Sequence, residues 1–149
     1  SEMCIRDSIS ADCYFEELRQ DFEGAYYGMY FLELADYCTR ENNDEREVLK
    51  LLYQSLRALT VKSIPRRLVR CIYEIRLIVA NGEFPGLPQG NFSETALYAV
   101  EFIAGTPVEK LYTFTLKEEV LAELVQIAEK YRRDFLPGEF HTLEILETL

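Results

Sequence analysis

The chain has 149 residues, enough for one domain with a real core. Its apolar content of 48% and aromatic content of 13% are those of a globular protein. No charge-free apolar run reaches the roughly 18 residues of a membrane-spanning helix, and the net charge of −10 argues against a generic nucleic-acid coat.

Ser1-Glu2-Met3-Cys4-Ile5-Arg6-Asp7-Ser8 reads as the translation of a transposase adapter used in sequencing libraries. The octet is therefore set aside from the fold and expected to be disordered, with native sequence beginning at Ile9 or Ser10. Of the cysteines at 4, 13, 38 and 71, one falls in that octet. The other three have no C-x-x-C spacing and are an odd number, which fits reduced, buried cytosolic thiols better than a disulfide framework or a zinc site.

Asp12 is a candidate N-cap for a short helix through Gln20. The next helix runs from Phe22 to Arg40 and is apolar all round, which predicts a central, buried position. Gly24 and Gly28 each cost roughly 1 kcal/mol against Ala there, so their use, one turn apart, suggests close approach of another backbone. Residues 41–44 form a loop, and Asp44 is placed to cap an amphipathic helix through Leu59. Val48, Leu49, Leu52, Leu56 and Leu59 make its stripe, with Glu45, Glu47, Lys50 and Arg57 on its wet face.

Thr60 to Ser63 break that helix. Pro65 suits a first helical position, and the helix it opens runs to Ala80, where Asn81-Gly82 ends it. Residues 83–92 hold two Pro and two Gly and form a loop. Ser93 caps a helix from Glu94 to Ala104; Ala96 at its third position means no capping box, while Glu94 suits the positive end of the helix dipole. Gly105-Thr106-Pro107 punctuates, and Val108 to Tyr112 is a helical turn. Lys117 to Phe135 is a long helix with the stripe Val120, Leu121, Leu124, Ile127, Ala128 and Tyr131, stopped by Pro137-Gly138. Leu143 to Leu149 is a short last helix. The fold class is all-α, an irregular bundle of about six to eight helices built around the 22–38 and 65–80 segments, with no strand and no repeat.

Three stretches resemble the helical part of the RecO family of bacterial recombination mediators. They are Y-Y-G-M-Y-F-L-E-L-A-D (Tyr26 to Asp36), Y-E-I-R-L-I-V-A-N-G (Tyr73 to Gly82) followed by Pro85, and the segment from Phe135 to Leu146 containing F-H-T-L-E-I-L. The similarity runs from Tyr14 to Leu146, and its specificity lies in order and spacing. It implies that residues 9–149 are a RecO-like C-terminal helical domain. Family members resemble a three-part plan: an N-terminal OB-fold, this helical domain and, often, a zinc-binding insertion after the Gly-x-x-Pro turn. The OB-fold is not in this sequence, which the adapter reading attributes to truncation. Residues 86–105 contain no Cys, and a structural Zn²⁺ needs about four Cys/His ligands, so no metal and no other cofactor is expected.

The resemblance implies a DNA repair function in the RecF pathway: partnership with RecR, remodelling of single-stranded-DNA-binding protein, strand annealing and loading of the recombinase RecA. Single-stranded DNA would be met mainly by the OB-fold, and the setting is the bacterial cytoplasm at the nucleoid. None of this is hydrolysis, so no catalytic residue is expected. The other reading is a helical protein–protein interaction adaptor with no DNA role.

Glu33 and Arg76 lie inside apolar helices, where a lone buried charge costs several kcal/mol. A structural ion pair between them is expected, with Arg70 as the alternative partner of Glu33. Lys62, Arg66, Arg67 and Arg70, with Arg57 nearby, form a basic island in an acidic chain. The plain reading is a solvated helix face. The functional one is a site for the acidic, Phe-terminated tail of single-stranded-DNA-binding protein, the guanidinium groups taking carboxylates and Leu68, Ile72 or Tyr73 lining an apolar slot. Lys130, Arg132 and Arg133 form a smaller cluster that would touch nucleic-acid backbone weakly. His141 is read as a surface or satisfied histidine, and the ten tyrosines mostly as core residues.

Overall fold

The computed structural model describes residues 21–39 and 45–149. The Ser1–Ser8 octet, the helix expected over 12–20, Cys4, Cys13, the loop 41–44 and the Asp44 cap lie outside the described residues. Among the described residues there are six α-helices and no strand: α1 Phe22–Thr39, α2 Glu45–Leu59, α3 Arg66–Ala80, α4 Glu94–Gly105, α5 Glu118–Phe135 and α6 His141–Thr148, with one 3-10 turn at Val108–Lys110. This is an all-α bundle. None of these helices is long and apolar enough to cross a membrane.

The hub is α3, which packs against α1, α2, α4 and α5. Leu68, Val69, Ile72, Tyr73, Ile75, Leu77 and Ile78 are all fully buried, an apolar surface too wide for one neighbour and therefore covered by four. Tyr73 stacks on Phe31 of α1 at a 4.2 Å centroid distance, and its hydroxyl donates to the Phe31 carbonyl at 2.6 Å. A buried phenol needs such an acceptor.

Local chemistry sets the helix ends. Past α3, Gly82 N–H donates to Val79 O and Glu83 N–H to Ile78 O, with Gly82 at φ 73°. This is a Schellman end, in which a left-handed residue lets the chain turn back onto the last carbonyls, and glycine pays least for that φ. Pro65 stands as the cap just before α3 and its carbonyl accepts from Leu68 and Val69. Ser93 caps α4, its Oγ accepting from Ala96 N–H at 3.2 Å. Glu123 of α5 accepts from Ser93 N–H at 2.8 Å, a task that the third helical residue performs in a capping box and that Ala96 cannot. Arg76 donates to the carbonyls of Ile103 and Ala104 at 2.9 and 3.0 Å. It thus sits at the negative end of α4.

Two expectations need correcting. The apolar surface of α1 is not buried all round: Phe22, Met29 and Leu32 are exposed at 67%, 41% and 40%. The helix packs mainly against α2 and α6 and only lightly against α3, which leaves one side to solvent. On α2, Leu49 is exposed and Leu51 is buried in its place, because the 3.6-residue period puts 48, 51, 52, 55 and 59 on one face.

Candidate functional site

The basic island divides into groups of different kinds once the helices pack. Lys62 lies exposed in the turn between α2 and α3. Arg66 is held by three acceptors: Asp21 at 2.6 Å, Glu23 at 3.4 Å and the Leu59 carbonyl at 3.3 Å. The Arg66 side chain, together with the Gly24 amide, holds the Asp21 carboxyl below its ordinary value. Arg67 is exposed and meets Glu118 of α5 at 3.3 Å. Arg70 is only 16% exposed and turns inward to Glu74, one helical turn on, at 3.4 Å.

Among the described residues, Glu74 is the charged residue the fold takes out of water, at 1% exposure. Its Oε2 accepts from the Tyr30 hydroxyl. Arg132, 13% exposed, brings its Nε to 3.5 Å of the same oxygen and its guanidinium to 4.0 Å of Glu147 on α6. The Arg70 guanidinium also lies 5.5 Å from the Tyr30 ring centroid, within cation–π range. Burial pushes the Glu74 carboxyl above its ordinary value, against the pull of Arg70, Tyr30 and Arg132. Burial and the neighbouring Glu74 push the Tyr30 phenol well up too. Arg132 Nε is buried without a hydrogen bond, which costs about 1–3 kcal/mol for a desolvated donor. The cluster joins α1, α3 and α5 by pairing one buried carboxylate with a phenol and two guanidinium groups.

The outer part of the island opens on a cleft of about 430 Å³ between α1, α3 and α6. Arg66, Arg67, Arg70 and Glu23 give it charge; Tyr27, Pro65, Leu146 and Leu149 give it an apolar wall. The expected apolar slot is therefore corrected. Leu68, Ile72 and Tyr73 are fully buried in the bundle, because they sit on the faces of α3 that meet α1, α2 and α5. Apart from Pro65, the apolar groups beside the guanidinium groups come from α1 and from the end of α6, which local sequence around α3 does not reveal.

The expected Glu33–Arg76 ion pair is also replaced. Glu33 accepts from the Thr142 amide at 3.3 Å and its hydroxyl at 2.8 Å, at the start of α6, while Arg76 faces α4. Each charge finds a helix end as partner. Neither does Arg70 pair with Glu33; it pairs with Glu74. In the second basic cluster, Lys130 pairs with Asp134 at 3.3 Å and Arg133 is exposed. Arg132 points inward to Glu74, which removes it from any backbone-contacting surface. His141 is exposed at the first position of α6. Among the described residues no group of three His, Cys, Asp or Glu side chains converges on a metal position.

Residues 19–90 match the family model described as Recombination protein O C terminal. That segment spans α1 to α3 and the loop beyond, and so includes the basic face and the Tyr27 wall of the cleft. The chain matches no curated protein and no solved structure. Residues 19–90 thus carry the C-terminal helical part of the RecO family of DNA repair and recombination proteins, within an all-helical bundle.

Proposed function

We propose that this chain acts as a recombination mediator of the RecF pathway, and that its cleft holds the acidic, phenylalanine-terminated tail of single-stranded-DNA-binding protein. In this reading the domain works with RecR in the bacterial cytoplasm at the nucleoid. It remodels single-stranded-DNA-binding protein, promotes annealing and loads RecA, with DNA contacted mainly through an OB-fold.

One observation supports the binding site above all: three guanidinium groups and an apolar wall line a single cleft. A tail of that chemistry needs carboxylate partners and a place for one aromatic ring. The Arg66–Glu23 and Arg67–Glu118 ion pairs involve exposed carboxylates. Such pairs contribute about 0–1 kcal/mol each, so an incoming carboxylate can take their place. Arg70 differs, since it serves Glu74 and its replacement would leave that carboxylate short of a partner.

The test is a titration of a labelled peptide carrying several Asp residues and a C-terminal Phe, against the same peptide ending in Ala and against single-stranded DNA. The Phe peptide is expected to bind most tightly. The variant Arg67→Glu should lose about five-fold, since reversing one exposed charge removes an attraction and adds a repulsion, together about 1 kcal/mol. Leu149→Ala should weaken the Phe peptide and leave the Ala peptide unaffected. Equal binding by wild type and both variants would place the site elsewhere, with Lys130 and Arg133 next in line.

A further inference from the structure

The cleft already contains a carboxylate. Glu23 lines it and its Oε1 lies 3.4 Å from one terminal nitrogen of Arg66. Asp21 takes the other terminal nitrogen at 2.6 Å. The Arg66 fork is thus filled from within the chain by two acids of the same helix end.

The two acids are not equivalent. Asp21 also accepts from the Gly24 amide at 3.1 Å, which makes it the cap of α1, so leaving Arg66 would disturb a helix end as well. The Asp21 contact, with the Leu59 carbonyl at 3.3 Å, fixes the plane of the guanidinium. Glu23 makes the longer contact, and its side chain is 54% exposed. A long, wet ion pair exchanges partners at little cost, whereas the Asp21 and Leu59 contacts keep the fork oriented while the exchange happens.

Resting on the peptide reading above, we propose that Glu23 is a displaceable internal competitor for Arg66 and the residue that sets the selectivity of the cleft. A ligand carboxylate takes the place of the Glu23 carboxylate on the free arm of the fork, while Asp21 stays. The exchange is charge for charge, so local charge balance is kept for a ligand presenting a carboxylate at that point. An anion that cannot reach the fork gains nothing from Arg66 and meets the repulsion of Glu23 instead. The acid at the rim therefore lowers affinity and raises discrimination, by repelling what it does not yield to.

The experiment uses the whole chain and the Asp-rich, Phe-terminated peptide, with single-stranded DNA as the second probe. Glu23→Gln should tighten the peptide about two- to five-fold, the size expected for freeing one exposed ion pair. It should steepen the salt dependence, because one pair is now formed without another being broken. It should also strengthen DNA binding, narrowing the preference for peptide. Asp21→Asn keeps a capping side chain but loosens the fork, and should not tighten the peptide. Glu119→Gln, an exposed acid of α5 outside the cleft, is the control for net charge and should match wild type. Peptide affinity unchanged in Glu23→Gln, or raised equally in Glu119→Gln or Asp21→Asn, would overturn the proposal. No peptide binding by wild type or by Glu23→Gln, with helix content intact, would instead overturn the peptide reading on which it rests.

Discussion

Replacing Glu74 by Gln isolates the titration of the buried carboxyl. Burial raises this carboxyl in the folded chain, above the 4.5 of its ordinary value. A raised folded pKa means that the unfolded chain loses its proton first as pH rises. The contribution of Glu74 to stability is therefore fully present below pH 4.5 and is lost as pH rises through the folded value. The difference in urea midpoint between wild type and Glu74→Gln should accordingly shift against wild type as pH goes from 4.5 upward. A flat difference would mean that Arg70 and Arg132 cancel the burial effect. Part of this cluster is legible locally, since Arg70 and Glu74 are four apart on one helix. The pairing with Arg132 is not, because 58 residues separate 74 from 132. The misplaced apolar slot has a simpler cause. Two positions along a helix turn about 200°, so Ile72 had to point away from Arg70, and a binding wall for that face had to come from another helix.

The helices themselves follow from short-range chemistry, which is why their limits could be read. Ser93, the Pro65 start and the Asn81-Gly82 stop act within one turn of their positions. So does the alternation of wet and dry faces on α2 and α5. Ser93→Ala should destabilise the chain by about 1–2 kcal/mol in chemical denaturation, the upper part of the range for a lost N-cap, since Glu123 also loses the hydroxyl it accepts from at 2.6 Å. A loss under about 0.5 kcal/mol would mean that the Glu123 contact to the Ser93 amide suffices as the cap. The prediction for α1 failed for a related reason. An apolar sequence shows that a helix can be buried on every side, but the number of neighbours decides whether it is. Only α3 has enough of them, and the solvent side of α1 carries Phe22, Met29 and Leu32.

Across the molecule, both described cysteines sit in the shared core, Cys38 on α1 and Cys71 on α3. Burial pushes the Cys71 thiol far above its ordinary value, so neither access nor thiolate is available in the folded state. In a Cys4→Ser/Cys13→Ser background, alkylation of these two should follow global unfolding, with both sites reacting at one rate across a urea series. Faster reaction at Cys38 would show that α1 leaves the bundle before α3 does. The last helix has a role in that hierarchy that its length conceals. Phe140, at its entrance, sets its ring edge-on to Tyr30 at 6.1 Å, and Glu147 reaches Arg132. Leu146 and Leu149 wall the cleft. An eight-residue helix thus forms part of the cover over the charges around Glu74. When it lifts, the dielectric around them rises, and their attraction falls toward that of a surface pair. Hydration of the interior and loss of the binding wall are then one event, so the dryness of the charged centre reports whether the cleft is formed.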